Sequence, residues 1–203
     1  METTDYIAHE SAYIDDNVEI GSATRIWHFS HIMSDSIIGR DCNIGQNVVV
    51  SPGCHIGNNV KIQNNVSVYT GVTLEDDVFC GPSMVFTNVI NPRSHVSREE
   101  EYKNTLVKKG ASIGANATIV CGITLGEYCF IGAGTVVTKD IAPFQMVIGN
   151  PGRVRGYVCA CGEKLDLRLE AKTGTQTVCG ACNSGFVKTE SGVEIKNDIK
   201  NAV

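Results

Sequence analysis

The sequence predicts an all-β fold, a parallel β-helix in which short strands wind around a common core. From Ile14 to Phe86 every sixth residue is apolar, which gives thirteen positions in one unbroken register. A second, smaller residue follows four positions after each of them, as at Val18, Thr24 and Ser30. Glycine often comes directly after the large apolar residue. These glycines are Gly21, Gly39, Gly45, Gly57 and Gly81.

The period of six predicts this fold because it matches neither an α-helix nor a simple strand, which repeat at 3.6 and 2 residues. It is the period of a hexapeptide β-helix. In each hexad the large residue points inward, the small residue fills the corner, and glycine or asparagine supports the bend. A single strand of this kind cannot bury its apolar face alone, so the turns must stack.

The repeat sets the predicted boundaries of the coil. Residues 1–13 lack clean hexads and are expected to cap the open end. Residues 87–106 are polar and include Pro92, which predicts a loop leaving the coil, and long loops of this kind are often functional. Hexads restart at Val107 or Ile113. At eighteen residues a turn, the repeat predicts about six turns.

Proline and glycine are expected to end the coil between residues 141 and 156. Beyond this segment the sequence becomes polar and rich in lysine and cysteine. We therefore predict two units, a β-helix domain over residues 1–156 and a small four-cysteine module over residues 157–203.

The composition excludes several classes of protein. Of 203 residues, 42% are hydrophobic and 19% are charged, with a net charge of −5. This balance argues against a nucleic-acid binder that works through a basic surface. No apolar run is long enough for a membrane span. The N-terminal segment is acidic and lacks the apolar stretch of a secretory signal, which predicts a cytoplasmic protein.

The nine cysteines fall into three groups. Four occupy inward hexad positions and are expected to be small buried hydrophobic residues. They are Cys42, Cys54, Cys80 and Cys129. Cys121 falls at an outward position. The last four, Cys159, Cys161, Cys179 and Cys182, form two pairs around a loop, a spacing that predicts tetrahedral structural zinc. Unligated or redox-active thiols are the alternative.

Beyond the hexads themselves, five segments of the coil and its loop are informative: RIWHFSHI (25–32), IGQNVVVSPG (44–53), KIQNNVSVYTGVTLEDDVFCGPSMVFTNVINPRS (61–94), KKGASIGANATIVCGITLGEYCFIGAGTVVTKD (108–140) and VIGNPGRV (147–154). With these segments the chain resembles the hexapeptide-repeat acyltransferases, and more closely the N-acetyltransferases of nucleotide-linked 3-amino sugars. The nearest subgroup acetylates UDP-2-acetamido-3-amino-2,3-dideoxy-D-glucuronate for surface polysaccharide, including O-antigen.

The resemblance implies a left-handed β-helix, a homotrimer with active sites between subunits, and acetyl-CoA as the acetyl donor. The acceptor would be the sugar's 3-amino group. Such an amine is less basic than lysine, so it needs orientation and oxyanion stabilisation more than a strong base.

Three residues are candidates for the chemistry. Asn88, where the coil meets the loop, is expected to orient the amine, and related sugar acetyltransferases have an asparagine there. Thr70 lies eighteen residues earlier on the same face and offers only a hydroxyl, where some relatives carry a carboxylate. His95 is the alternative general base. Asn88 could instead cap a turn, and His95 could be a solvated loop residue.

Other residues are candidates for binding. Arg25 and Arg93 could meet the phosphates or uronate of the substrate. Trp27, His28 and His31 could form a platform for uracil or sugar, or could pack between subunits. For CoA, the family resemblance suggests backbone amides around three glycines and the side chains of three basic residues. These are Gly122, Gly132, Gly134, Lys139, Arg153 and Arg155.

Two alternatives stay open. The same fold could acetylate a hydroxyl group with His95 as the base. The chain could also be a non-enzymatic β-helix scaffold that assembles partners through its four-cysteine module.

Overall fold

A computed structural model describes residues 5–196 of the chain. Residues 1–4 of the predicted cap and 197–203 of the predicted module lie outside this range. Helical structure among the described residues is confined to a short 3-10 helix, Glu99–Glu101. The strands are β1 (Ile7–Ala8), β2 (Tyr13–Ile14), β3 (Glu19–Ile20), β4 (Arg25–Ile26), β5 (His31–Ile32), β6 (Ile37–Ile38), β7 (Asn43–Ile44), β8 (Val49–Val50), β9 (His55–Ile56), β10 (Lys61–Ile62), β11 (Ser67–Val68), β12 (Val72–Leu74), β13 (Phe79–Cys80), β14 (Val85–Phe86), β15 (Thr105–Val107), β16 (Ser112–Ile113), β17 (Thr118–Ile119), β18 (Thr124–Leu125), β19 (Phe130–Ile131), β20 (Val136–Val137), β21 (Gln145–Ile148), β22 (Arg153–Tyr157), β23 (Gln176–Val178), β24 (Gly185–Lys188) and β25 (Val193–Lys196).

The strands form the three sides of a parallel β-helix, because each strand pairs with the one three places later. Side A runs from β1 through β4 and every third strand to β19, then β21. Side B contains β2 to β20, and side C contains β3 to β18. The short segments between sides are the A/B, B/C and C/A corners. Residues in register on successive turns form a column.

The predicted β-helix is confirmed, and the structure adds one strand at each end of the predicted coil. Among the described residues side B has seven strands, and all of them follow the six-residue repeat from Ile14 to Val137. The added N-terminal strand is β1, where Ile7 and Ala8 pair in parallel with Arg25 and Ile26. This strand lacks the hexad signature because it is exposed at the open end.

The core consists of the predicted large residues, packed in columns. From Ile26 onward they are almost completely buried. The small corner positions also accept polar residues, because their hydroxyls form hydrogen bonds with backbone groups. Thr24 Oγ1 bonds the carbonyl of Gly39 at 2.8 Å, and Ser30 Oγ bonds that of Gly45 at 2.7 Å. A buried hydroxyl is stable here because it has a partner.

The glycines after the large residues have a different role from the one that the sequence suggested. The bend residues with positive φ recur at every sixth position from Asn17 to Ser83, and most of them are asparagine, aspartate or glycine. Gly57 is not one of these bend residues but directly follows a large apolar residue, Ile56. A methyl group there would lie 2.7 Å from the backbone nitrogen of Asp76 on the next turn. Glycine is therefore needed at that position for the close approach of two turns.

The coil ends in a pair of strands. Strand β21 still stacks in parallel on β19, so the repeat continues past the predicted break, and β22 returns antiparallel to β21. Strands β23, β24 and β25 then form a separate antiparallel sheet. The buried apolar residues accordingly form two clusters, one along the coil and one that includes Phe144, Tyr157 and Phe186.

The coil cysteines behave as expected, with one exception. Burial raises the pKa of Cys80 to about 12, so this thiol stays protonated. Cys121, predicted to face outward, is instead only 3% exposed. It is covered at the base of the loop, and its N–H donates to Thr87 Oγ1 at 3.0 Å. Between residues 5 and 196 the chain contains no helix that is long and apolar enough to cross a membrane.

Candidate active site and metal site

The B/C corner brings together predicted residues that are far apart in the sequence. The register of β11, β14, β17 and β20 places Thr70, Asn88, Cys121 and Lys139 in one column. Asn88 is half-buried, and its amide makes no hydrogen bond to another described residue, so it can donate to a ligand. Thr70 is committed to the coil, because its hydroxyl donates to the carbonyl of Pro52 at 3.1 Å.

The loop leaves the coil at this corner and returns to it. Its neck is closed by a hydrogen bond from the Lys103 N–H to the Asn88 carbonyl at 2.9 Å. His95 lies exposed near the tip, within a bridge between Arg93 and Val96. Arg93 Nη1 donates to the carbonyl of Pro92 at 2.9 Å. Within one chain, neither His95 nor Arg93 contacts Asn88 through a hydrogen bond.

A cavity of about 440 Å³ lies over the last turn of side C. Lys108 and Lys139 supply two positive charges and Asp140 one negative charge, and Ile141, Pro143 and Val154 supply apolar surface. Arg153 and Arg155 flank Val154 on β22 and are exposed. This combination of cations and apolar surface suits a ligand that is anionic at one end and apolar along its length.

The three predicted CoA-binding glycines use their own N–H groups inside the coil. The N–H of Gly122 donates to Thr105 Oγ1 at 3.3 Å. The N–H groups of Gly132 and Gly134 donate to the carbonyls of Val147 and Ala115, each at 2.8 Å. These amides are therefore not available to pantetheine. Gly134 still offers open space, because no described residue other than its chain neighbours lies within 4 Å of a methyl group placed there.

A polar groove runs along side A, on the other side of the coil. Arg25, Asn43 and Lys61 stand in one column on its outer face. The groove also includes Asp41 and Asn59, and its volume is about 620 Å³. Lys61 Nζ donates to the carbonyl of Asp41 at 2.7 Å, which fixes the ammonium beside the groove.

A second groove of about 320 Å³ adjoins the first and shares Asn43 with it. Trp27 and His28 form one wall, with rings nearly parallel at 5°. The Trp27 N–H donates to Asn43 Oδ1 at 2.8 Å. Gln46 and Gln63 lie opposite, and their side-chain amides make no hydrogen bond to another described residue. A flat ring with donors and acceptors on its edge would fit this chemistry.

The predicted Trp–His group is divided by the structure. His28 stacks on His9 with ring centroids 3.5 Å apart. His31 instead lies on side B, where its Nε2 is 2.7 Å from Asp15 Oδ1. This hydrogen bond is the main cause that lowers the pKa of Asp15. His31 is therefore held by a carboxylate and does not join Trp27 in the groove.

Comparison with known proteins agrees with this architecture. The family model for the bacterial transferase hexapeptide (six repeats) matches residues 10–52 and 104–139, and the model for the hexapeptide repeat of succinyl-transferase matches 36–70. A curated relative from Aneurinibacillus thermoaerophilus, named dTDP-3-amino-3,6-dideoxy-alpha-D-galactopyranose 3-N-acetyltransferase, is 47% identical over 157 residues, which are 77% of this chain and 81% of that protein. This chain belongs to the hexapeptide-repeat transferases.

Solved structures show the same fold in other members of the family. A galactoside acetyltransferase in complex with coenzyme A is 26% identical, with a TM-score of 0.53, over 64% of this chain and 66% of its own. A hexapeptide transferase family protein from Anaplasma phagocytophilum is 17% identical, with a TM-score of 0.53, over 76% of this chain and 84% of its own.

This hexapeptide-repeat transferase also brings its last four cysteines together. The sulfur atoms of Cys159, Cys161, Cys179 and Cys182 all lie within 4.8 Å of one another. The Cys159–Cys182 and Cys161–Cys179 sulfur distances are 3.4 and 3.6 Å. A tetrahedral zinc with Zn–S bonds near 2.3 Å requires sulfur atoms roughly 3.8 Å apart, so the cluster fits the metal.

Sequence reasoning missed several residues of the transferase's grooves. Cys121 completes the Asn88 column, and Asn43, Gln46 and Gln63 line the groove beside Trp27. The eighteen-residue spacing of the repeat could have identified one of them. Residues eighteen apart share a column, so Gln63 could have been assigned to the turn above Gly45, next to Trp27.

Proposed function

We propose that this transferase moves acetyl from acetyl-CoA to the 3-amino group of a nucleotide-linked amino sugar. The observation that carries the proposal is the half-buried, unengaged amide of Asn88 above a cationic cavity, in a chain that is 47% identical to a sugar 3-N-acetyltransferase. The amine nitrogen attacks the thioester carbonyl, the C–S bond breaks, and the amine proton leaves with the CoA thiolate or solvent.

The B/C corner supplies the orientation that this reaction needs. Asn88 presents an amide from a fixed position, because Lys103 closes the loop neck behind it. An amide can accept from the amine or donate to the oxyanion, and holding two reactants in line contributes strongly to rate. Thr70 has a smaller role in this proposal, since its hydroxyl already bonds Pro52.

The cavity on side C is the proposed site for acetyl-CoA. Lys108 and Lys139 would meet its phosphates, with Arg153 and Arg155 nearby, and the apolar wall would meet pantetheine. Lys139 stands two positions below Asn88 in the same column. At strand spacings near 4.8 Å this separation is roughly 10 Å, so the thioester can reach the corner while the phosphates stay near the lysines.

The two grooves at the N-terminal half are the proposed nucleotide subsite. Trp27 and His28 would stack on the base, and Gln46 and Gln63 would meet its imide edge. Arg25 and Lys61 would meet the pyrophosphate in the adjoining groove. Uracil and thymine share the same imide edge, so this chemistry accepts either UDP or dTDP sugars.

The positions of these proposed sites support a homotrimer. The nucleotide grooves lie on side A and the A/B corner, whereas Asn88 lies at the B/C corner of the same chain. One chain therefore does not bring the nucleotide to its own Asn88. A neighbouring copy placed with its side A against this corner would complete the site, and a closed ring of three such contacts satisfies every chain.

The finer assignment of the acceptor is UDP-2-acetamido-3-amino-2,3-dideoxy-D-glucuronate, used in the cytoplasm for surface polysaccharide such as O-antigen. It rests on the segment resemblance around residues 61–94. The dTDP-linked 3-amino-3,6-dideoxygalactose named for the Aneurinibacillus relative is the competing acceptor. An acetyl-CoA assay with both sugars and their 3-hydroxy analogues, followed by mass spectrometry, should show acetylation only of 3-amino sugars. Acetylation of a 3-hydroxy analogue alone would overturn the amine proposal.

Trp27→Ala tests the nucleotide subsite. Base–aromatic stacking contributes about 1–3 kcal/mol, so we expect the KM for the nucleotide sugar to rise about tenfold. The kcat should stay within about twofold, because Trp27 is distant from the reacting atoms. Trp27→Phe keeps a stacking ring and should stay within about threefold in KM. An unchanged KM in steady-state kinetics of Trp27→Ala would remove Trp27 from the substrate site.

A further inference from the structure

We propose that zinc bound by Cys159, Cys161, Cys179 and Cys182 clamps the strand pair β21–β22 and thereby shapes the cofactor cavity of side C. This inference rests on the proposed function for its cofactor, but its metal site stands on separate observations. The four sulfurs come from two separate chain segments that meet within 4.8 Å. Four thiolate ligands leave no open position, which makes the zinc structural.

The spacing of the sulfurs favours a metal over disulfides. The Cys159–Cys182 and Cys161–Cys179 sulfur pairs are separated by 3.4 and 3.6 Å, whereas a disulfide needs about 2.05 Å and tetrahedral zinc about 3.8 Å. Backbone hydrogen bonds also fix the turn that carries the first two cysteines. The N–H of Cys159 donates to the carbonyl of Glu163, and the N–H of Gly162 donates to the carbonyl of Cys159. A preformed tight turn of this kind holds the two thiolates of Cys159 and Cys161 on one side of an ion.

The metal site is joined to the end of the coil through an aromatic stack. Tyr128 and Phe144 occupy bend positions with positive φ, where bulky residues are uncommon. Their rings stack with centroids 5.4 Å apart, and Phe186 of β24 packs on Phe144 at the same distance. Phe186 is fully buried in one cluster with Cys159 and Cys179. The coil therefore uses two strained corner positions to hold the cysteine module.

The same strand pair lines the cofactor cavity. Pro143, Gln145 and Val154 form part of the cavity wall. Phe144, between two of them, and Tyr157 belong to the module's apolar cluster. Gln145 also pairs with Tyr157 across β21 and β22. Strands β21 and β22 are held on one side by the coil and on the other by the module's apolar cluster. If the module loosens, the cavity wall beside Lys139 keeps only the support of the coil.

The test compares zinc content with affinity for acetyl-CoA. Elemental analysis of the purified full chain should give about one zinc per chain. The double variant Cys179→Ser, Cys182→Ser should lose the zinc, and calorimetry should show acetyl-CoA binding at least about tenfold more weakly. Wild-type protein stripped by a strong chelator should show the same loss without any substitution. The KM for the nucleotide sugar should stay within about twofold, because its grooves lie on earlier turns.

Cys54→Ser is the matched control. Cys54 is a buried coil thiol at a small corner position, where serine already occurs at Ser30 and Ser36. This variant should keep both its zinc and its affinity for acetyl-CoA. Metal-free protein with two disulfides would overturn the metal site. Zinc that can be removed without weakening acetyl-CoA binding would overturn the clamp. Zinc-loaded protein that binds no acetyl-CoA would overturn the clamp and the proposed function together, while the metal site would stand.

Discussion

Asn88→Ala should lower kcat at least tenfold, and by about 100-fold if the amide both orients the amine and stabilises the oxyanion. The KM for acetyl-CoA should change little, because the cofactor cavity lies further along the coil. Asn88 makes no side-chain hydrogen bond to another described residue, so the variant should fold normally. Steady-state kinetics with both substrates varied, together with calorimetry of acetyl-CoA binding, measures these effects.

His95→Ala is the matched control for this prediction. His95 is exposed near the loop tip and has no hydrogen bond to another described residue. We expect its kcat to stay within about threefold of wild type. The wild-type rate should rise with pH through the pKa of the substrate amine, and this inflection should persist in His95→Ala. A general acid–base histidine contributes about 100-fold or more. A loss of that size in His95→Ala, with Asn88→Ala still active, would favour the hydroxyl-acceptor reaction.

Co-expression of Asn88→Ala with Trp27→Ala asks whether the two residues meet across a subunit contact. In randomly mixed trimers, roughly a quarter of the sites would combine an intact Asn88 from one chain with an intact Trp27 from another. Measured well below the KM for the nucleotide sugar, the mixture should therefore exceed both single variants severalfold. Activity at the mean of the two variants would mean that Asn88 and Trp27 serve the same site from one chain.

The hexad register predicted most of what positions the candidate site. It placed Thr70 and Asn88 on one face, because residues eighteen apart share a column in a three-sided coil. It also marked the loop, since polar residues interrupt an otherwise unbroken apolar repeat. It did not predict the burial of Cys121, which is outward in the hexad pattern but lies under the loop that leaves the coil beside it. Burial by a loop is a tertiary effect and leaves no periodic trace.

Hydrogen bonding explains why three glycines and His31 have other roles in the structure than the sequence predicted. Gly122, Gly132 and Gly134 are plausible ligand-binding glycines in sequence, yet each N–H already serves the coil. His31 lies close to Trp27 in sequence but turns to another side and pairs with Asp15. Sequence gives the identity of donors and acceptors, whereas their partners depend on which turn lies above and below. The first strand, Ile7–Ala8, was missed because an exposed terminal strand needs no apolar hexad.

Two kinds of glycine in the coil should differ in how much a substitution destabilises the protein. Gly57 is buried between turns, and a methyl group would lie 2.7 Å from Asp76 N and 2.8 Å from the Glu75 carbonyl carbon. Both are backbone atoms, which can move only by separating the turns and weakening the strand pairs around them. Gly53 is different, because it has φ of +69° and, apart from its chain neighbours, no residue of the described part of the chain lies within 4 Å of an added methyl group.

Gly57→Ala should therefore destabilise the coil by about 3 kcal/mol, at the upper end for overpacking, because the clash is with backbone. For a chain of this size this corresponds to a fall in the melting temperature of roughly 6–12 °C. Gly53→Asn is the matched control, since asparagine tolerates positive φ and occupies the equivalent bend at Asn47 and Asn59. It should melt within about 2 °C of wild type by circular dichroism. If Gly57→Ala also melted that close to wild type, the turns could separate freely, and the close approach at Gly57 would not be what maintains the spacing of the coil.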